Sequence, residues 1–72
     1  MGNPLVKDYR GVSSGDSAVL WSGIRVTIGK IELLTIEGAS YGINAIYTTD
    51  GVRIEPREIE RYEKPTDVVK AS

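Results

Sequence analysis

Three stretches of the chain have the spacing of reactive sites, and each lacks a group that its chemistry requires. Gly11-Val12-Ser13-Ser14-Gly15 follows the G-x-S-x-G pattern of a serine nucleophile elbow. A serine hydroxyl attacks only when a base takes its proton, and in that arrangement the base is an imidazole. The chain has no histidine, and its 72 residues leave no room for the α/β sheet that presents such an elbow. Gly23 to Lys30 approaches a phosphate-binding loop, but five residues separate Gly23 from Gly29, and Ile31 stands where Ser or Thr would hold magnesium. Met1-Gly2 opens like a myristoylation signal, with Val6 at the place that needs Ser or Thr.

Carboxylates are the remaining source of chemistry. Glu55, Glu58, Glu60 and Glu63 form a cluster, but Arg53, Arg57, Arg61 and Lys64 alternate with them. Mixed signs on an exposed face make weak ion pairs of about 0–1 kcal/mol each, so the cluster reads as a solvated surface and no metal site is expected. With neither Cys nor His, a structural zinc or disulfide staple is excluded from the reading, and no cofactor is implied. Trp21 is the single tryptophan. Strand alternation places it with Val19, opposite Ala18 and Leu20; if the latter pair faces the core, Val19 and Trp21 are at least partly exposed. An exposed large aromatic suits base stacking, a peptide anchor or a subunit interface.

These groups have to be positioned by one small domain. A chain this short buries a limited fraction of its surface, and without staples self-association is an inexpensive reinforcement. The net charge is −1, from nine basic and ten acidic residues, which is not the footprint of phosphate neutralisation on duplex DNA. No apolar run approaches the roughly twenty residues of a membrane span, and the start lacks a signal-peptide pattern. A cytoplasmic protein with no membrane contact is expected.

Met1 to Ser14 has no apolar periodicity and reads as a flexible arm, 1–14. Gly15-Asp16 forms a turn into a strand over Ser17 to Trp21. Ile24 to Ile36 is rich in β-branched residues, with Ile24, Val26 and Ile28 on even positions and Ile31 and Leu33 on odd ones. Gly29 at the change of parity suggests a bulge or bend, which in a small barrel lets one long strand serve both sheets. Glu37 to Ser40 is a loop. Asp50-Gly51 then reads as a two-residue type I′ turn, pairing Thr49 with Val52, Tyr47 with Ile54 and Ala45 with Pro56. That register places Tyr41, Ile43, Ala45 and Tyr47 on the apolar face, and Gly42, Asn44 and Ile46 opposite, with Arg53 and Glu55. Pro56 to Glu58 suggests a short 3-10 turn before a last strand from Ile59, with a two-turn helix over 55–63 as the alternative. The expected organisation is an all-β barrel over 15–64, with a frayed tail at 65–72.

Taken together, Gly15-Asp16, the Gly23 turn, Gly29-Lys30-Ile31, Tyr41 to Tyr47 and the closing VRIEPREIERYE resemble a five-stranded SH3-like barrel. Gly23 to Ile31 is similar to a KOW motif, which implies contact with RNA, ribosomal components or polymerase. The chain also resembles the type II, plasmid-encoded dihydrofolate reductases, through Gly15-Asp16, Gly29, Glu37-Gly38, the Tyr41 strand and the Val52-x-Ile54 pattern. That family carries Val-Gln-Ile-Tyr in its pore, where this chain has Val52-Arg53-Ile54-Glu55, and its pore lysine falls on Leu20. The resemblance therefore extends to the scaffold and not to the reacting groups.

The expected function is a non-enzymatic protein-interaction or assembly module, with self-association or a protein partner at a surface of Val19, Trp21, Arg25, Lys30, Arg53 and Glu55. The alternative is nucleic-acid binding through Arg25, Lys30 and Arg53, and a reductase of the type II kind ranks third.

Overall fold

The computed structural model describes residues 3–65. Most of the tail expected at 65–72, and Met1-Gly2, lie outside the described residues. Eight strands follow in order: β1 (Leu5–Val6), β2 (Asp8–Tyr9), β3 (Val12–Ser13), β4 (Ser17–Leu20), β5 (Arg25–Ile36), β6 (Ala39–Thr48), β7 (Arg53–Ile54) and β8 (Ile59–Glu63). A 3-10 turn at Pro56–Glu58 precedes β8. The main sheet runs β7-β6-β5-β4-β8, with β1 also paired to β5, and all its pairings are antiparallel. No pairing joins β7 to β8 among the described residues, so the all-β sheet is not closed by hydrogen bonds into a barrel.

The long β5 organises the sheet. Its first half pairs with β4 and its second half with β1, while β6 follows its opposite edge. The register with β6 shifts between Ile28 and Lys30, where the sequence predicts a bulge. A Cβ on Gly29 would stand 3.0 Å from the Thr48 carbonyl oxygen and 3.1 Å from its carbon, so the two backbones approach as closely as they do only at a glycine. The extra residue turns both Ile28 and Ile31 into the core, where each is fully buried.

The hairpin after β6 departs from the expected register by one residue. Ile46 pairs with Ile54 and Tyr47 with Arg53, and the loop is Thr49-Asp50-Gly51, with only Gly51 at positive φ. Thr48 supplies the reason. Its hydroxyl oxygen accepts from the Asp50 N–H at 3.2 Å and the Val52 N–H at 3.1 Å, and its carbonyl accepts from the Gly51 N–H at 2.9 Å. A threonine side chain that satisfies loop amides favours the three-residue loop over the type I′ turn. Because side chains alternate, the one-residue change carries Ile46 into the core and Tyr47 out of it. Two-residue loops with both residues at positive φ occur instead at Arg10-Gly11 and Glu37-Gly38.

The segment expected to be a flexible arm forms structure from Asn3 onward. Leu5 pairs with Glu32 and Val6 with Ile31, while β2 and β3 make a small hairpin. Val6, Tyr9 and Val12 lie half-buried against the core of Ala18, Ile28, Ile31, Leu33, Ile46, Ile54 and Ile59. Half-burying three such side chains is worth roughly 2–4 kcal/mol, a sizeable gain for so small a core. The 55–63 segment takes the strand reading: Pro56 opens the 3-10 turn, Glu58 Oε2 accepts from the Glu55 N–H at 3.1 Å, and Ile59 pairs with Leu20. No helix among the described residues is long and apolar enough to cross a membrane.

Candidate interaction surface

The outward face of β5, β6 and β7 carries three of the expected surface residues. Tyr47 pairs with Lys30 on one side and Arg53 on the other, so an aromatic ring stands in a row between two cations. Glu55 follows Arg53 and binds it at 3.1 Å, and Arg57 at 3.0 Å. The Glu55 partner holds the Arg53 guanidinium above its usual range, and the Tyr47 hydroxyl adds to this.

Behind that row sits a carboxylate absent from the sequence-based set. Glu32 Oε2 accepts from Asn3 Nδ2 at 3.0 Å and Asn44 Nδ2 at 2.8 Å, and Glu32 Oε1 accepts from the Tyr47 hydroxyl at 3.0 Å. These bonds, those of Asn3 first, hold the Glu32 carboxyl below the usual range against the opposing effect of its partial burial. One donor comes from the residues just before β1 and two from β6, so the node fastens the start of the chain and β6 to β5. Its lone pairs are occupied internally, which makes it a structural fastening and not an open site. The sequence alone does not mark Glu32, because its cross-strand neighbours, Leu5 of β1 and Ala45 of β6, are set by pairing on both edges of β5.

The other three expected residues separate. Val19 is 6% exposed and not part of an accessible surface. It pairs with Arg25 and with Arg61, and both guanidinium groups bind the Glu63 carboxylate, Arg61 Nε at 2.7 Å. The two arginines share Val19's face, where their aliphatic stems are placed to shield it. Arg61 and then Arg25 draw the Glu63 carboxyl below its usual range. Trp21 lies past the end of β4 with 69% of its surface exposed, beside Ile24 at 58%. Of the acidic cluster, Glu55, Glu60 and Glu63 form ion pairs with Arg25, Arg53, Arg57 and Arg61, while Glu58 accepts from the Glu55 N–H.

A cleft of about 270 Å³ opens between the start of β5 and the β6–β7 loop, lined among others by Arg25, Thr27, Thr49 and Val52. It is near the lower limit for small-molecule sites, and Arg25 at its rim is already paired with Glu63.

A larger feature is the far end of the β5–β6 hairpin. Tyr41, expected in the core, is 62% exposed; Ile36 is 51% and Leu34 38% exposed. Leu34 and Ile36 share the outward face with Lys30 and Glu32, and Leu5, 52% exposed, pairs with Glu32 on that face. The molecule is elongated, 47 × 25 × 19 Å. The sequence signal was Leu33-Leu34-Thr35-Ile36, apolar on both parities, which a strand with one solvated face does not need. No protein-family model, curated protein or solved structure matches the chain.

Proposed function

We propose that the chain is a non-enzymatic protein-interaction and assembly module on an SH3-like barrel. The antiparallel path β7-β6-β5-β4-β8, one long strand bent at a glycine, and a 3-10 turn before the last strand support that architecture. The observation that carries the function is the apolar end of the β5–β6 hairpin, where Leu34, Ile36 and Tyr41 stand in water although the chain is short of core. Contiguous exposed apolar side chains on a small protein mark a contact surface. The test replaces Tyr41 with a photo-cross-linking amino acid in cells that make the protein. A discrete cross-linked adduct is expected, whatever its mass. Illumination that yields no adduct, with the protein folded and abundant, overturns the reading.

A second reading, nucleic-acid binding, draws on the row Lys30, Tyr47, Arg53, since an aromatic between cations is a stacking platform. Glu55 on Arg53, Glu63 on Arg25 and Glu32 beside Tyr47 oppose it by cancelling the positive charge. A fluorescence anisotropy titration with single-stranded RNA at low salt decides it, because phosphate contact must weaken steeply as salt rises.

A further inference from the structure

Strand alternation identifies main-chain groups on β8 that the sheet does not use. The Leu20 N–H donates to the Ile24 carbonyl, and the Asp16 carbonyl accepts from the Ile28 N–H. The main-chain groups of Asp16, Ala18 and Leu20 therefore point to β5, and those of Ser17 and Val19 point to β8. Their partners there are Glu63 and Arg61. Tyr62, between those two, turns its N–H and carbonyl away from β4, and among the described residues no other strand pairs with β8. Its side chain packs against the core, while Arg61 and Glu63 alternate to the opposite face.

An edge of this kind is a template for another strand, and its charges decide which strand and in which register. A second β8 turned end for end overlaps Arg61 to Glu63 about an axis at one of three positions. An axis at Arg61 sets two guanidinium groups opposite each other, and an axis at Glu63 sets two carboxylates opposite each other; both are destabilising. An axis at Tyr62 sets each Arg61 opposite the Glu63 of the other copy, while the two Tyr62 residues exchange their outward N–H and carbonyl groups. The bond within each chain, Arg61 Nε to Glu63 Oε2 at 2.7 Å, is kept, so the four groups alternate in sign around a square. Glu60 and Lys64, the next positions outward, are again opposite in sign. Arg25, the other cation on Glu63, stands two strands further in, across Val19, and does not front the edge. The register shift between Val19 and Leu20 leaves Glu60 bulged at the rim, which keeps the ladder short and the association weak.

We infer that β8 pairs edge to edge with β8 of a second copy of the chain, antiparallel about a two-fold axis at Tyr62, with reciprocal Arg61–Glu63 contacts. This surface is separate from the hairpin end, so the inference goes beyond the reading above and does not depend on it.

Sedimentation equilibrium of the full chain at low salt, over a range of concentrations, tests it. A monomer–dimer equilibrium is expected. Arg61→Glu alone and Glu63→Arg alone, each checked for folding by its urea midpoint, raise the dissociation constant at least about fivefold, because each sets two like-charged pairs across the axis. Mixing the two variants restores association to within about threefold of the parent, since opposite charges then meet across the axis. Loss of the Arg61–Glu63 bond inside one chain is not mended by mixing, so the rescue reports the contact between chains. Amide exchange gives a second readout: the Tyr62 N–H slows as protein concentration rises, while the Glu63 N–H, directed at β4, does not change. A parent that stays monomeric, variants that stay apart when mixed, or a Tyr62 amide indifferent to concentration each overturns the inference. A Tyr41 adduct from a chain that forms no dimer removes this inference and leaves the hairpin-end reading standing; a dimer without a Tyr41 adduct does the reverse.

Discussion

Lys64 Nζ stands 2.8 Å from Asp16 Oδ2, joining the turn that enters β4 to the residue that follows β8. The same ammonium donates to the Gly11 carbonyl, and the Ser13 N–H donates to Asp16 Oδ2 at 2.9 Å. One carboxylate thus gathers the β2–β3 hairpin, the start of β4 and the end of β8. Asp16 is buried while Lys64 is largely exposed, so the aspartate is the member whose loss leaves unsatisfied partners inside the protein.

That asymmetry sets the acid sensitivity. The Lys64 hydrogen bond, and then the Ser13 amide, hold the Asp16 carboxyl below its usual range despite burial, and the Glu32 carboxyl is lowered by Asn3, Asn44 and Tyr47. A carboxyl depressed in the folded state contributes stability above its unfolded value, about 3.9 for Asp and 4.3 for Glu. The contribution is lost as pH falls through the folded value. The urea midpoint should hold from pH 7 to about 5 and fall below that. Asp16→Asn should cost about 1–3 kcal/mol at pH 7 and flatten the acid limb, its deficit shrinking toward pH 3. An acid limb unchanged in the variant contradicts the assignment.

How much of this could be read from the sequence depended on whether local chemistry or distant contact decided each feature. The strand content, the parity change at Gly29 and the Pro56 turn are local, and the structure agrees with all three. The Asp50-Gly51 register failed because a side chain two residues before the expected loop, Thr48, competes for its amides. The arm was misread because Val6, Tyr9 and Val12 show no periodicity of their own; their burial is set by a core assembled from β4 to β8. Val19 was placed on an exposed face because alternation says which side a residue takes and not what covers it, and Arg25 and Arg61 come from other strands.

Gly29 offers a direct test of the bend. Its φ is ordinary, so an alanine there meets a steric obstacle in the Thr48 backbone and not a conformational one. Overpacking against a main chain that is itself hydrogen-bonded should cost about 1–3 kcal/mol. Gly38→Asn, at a positive-φ turn position with open space around it, should cost less, since Asn tolerates that conformation. Denaturant midpoints of the two variants, compared at constant m, check the order.

The register of the β6–β7 hairpin separates two neighbours. Ile46 is fully buried opposite Ile54, so Ile46→Ala should cost about 2–5 kcal/mol. Tyr47→Phe removes one hydrogen bond from a carboxylate that keeps two amide donors, which should cost only about 1 kcal/mol. With the alternative pairing of Tyr47 and Ile54 the ranking of these positions would invert. Cross-strand proton contacts between Ile46 and Ile54 in an NMR spectrum read the register independently of stability.

Trp21 tests the other end of the molecule. Its backbone is held, the N–H donating to the Glu58 carbonyl at 3.2 Å, while 69% of the residue is in water. Since an alanine keeps that backbone bond and removes little buried area, Trp21→Ala should shift stability by no more than about 0.5 kcal/mol. The emission of this single indole should lie near that of free tryptophan in water and be readily quenched by iodide. The contact surfaces proposed above, the hairpin end and the β8 edge at Tyr62, do not include the β4–β5 turn, so quenching should be the same at concentrations below and above any assembly. Protection of Trp21 on assembly would place the contact at the β4–β5 turn instead, and would require Ile24, its exposed neighbour, to be covered with it.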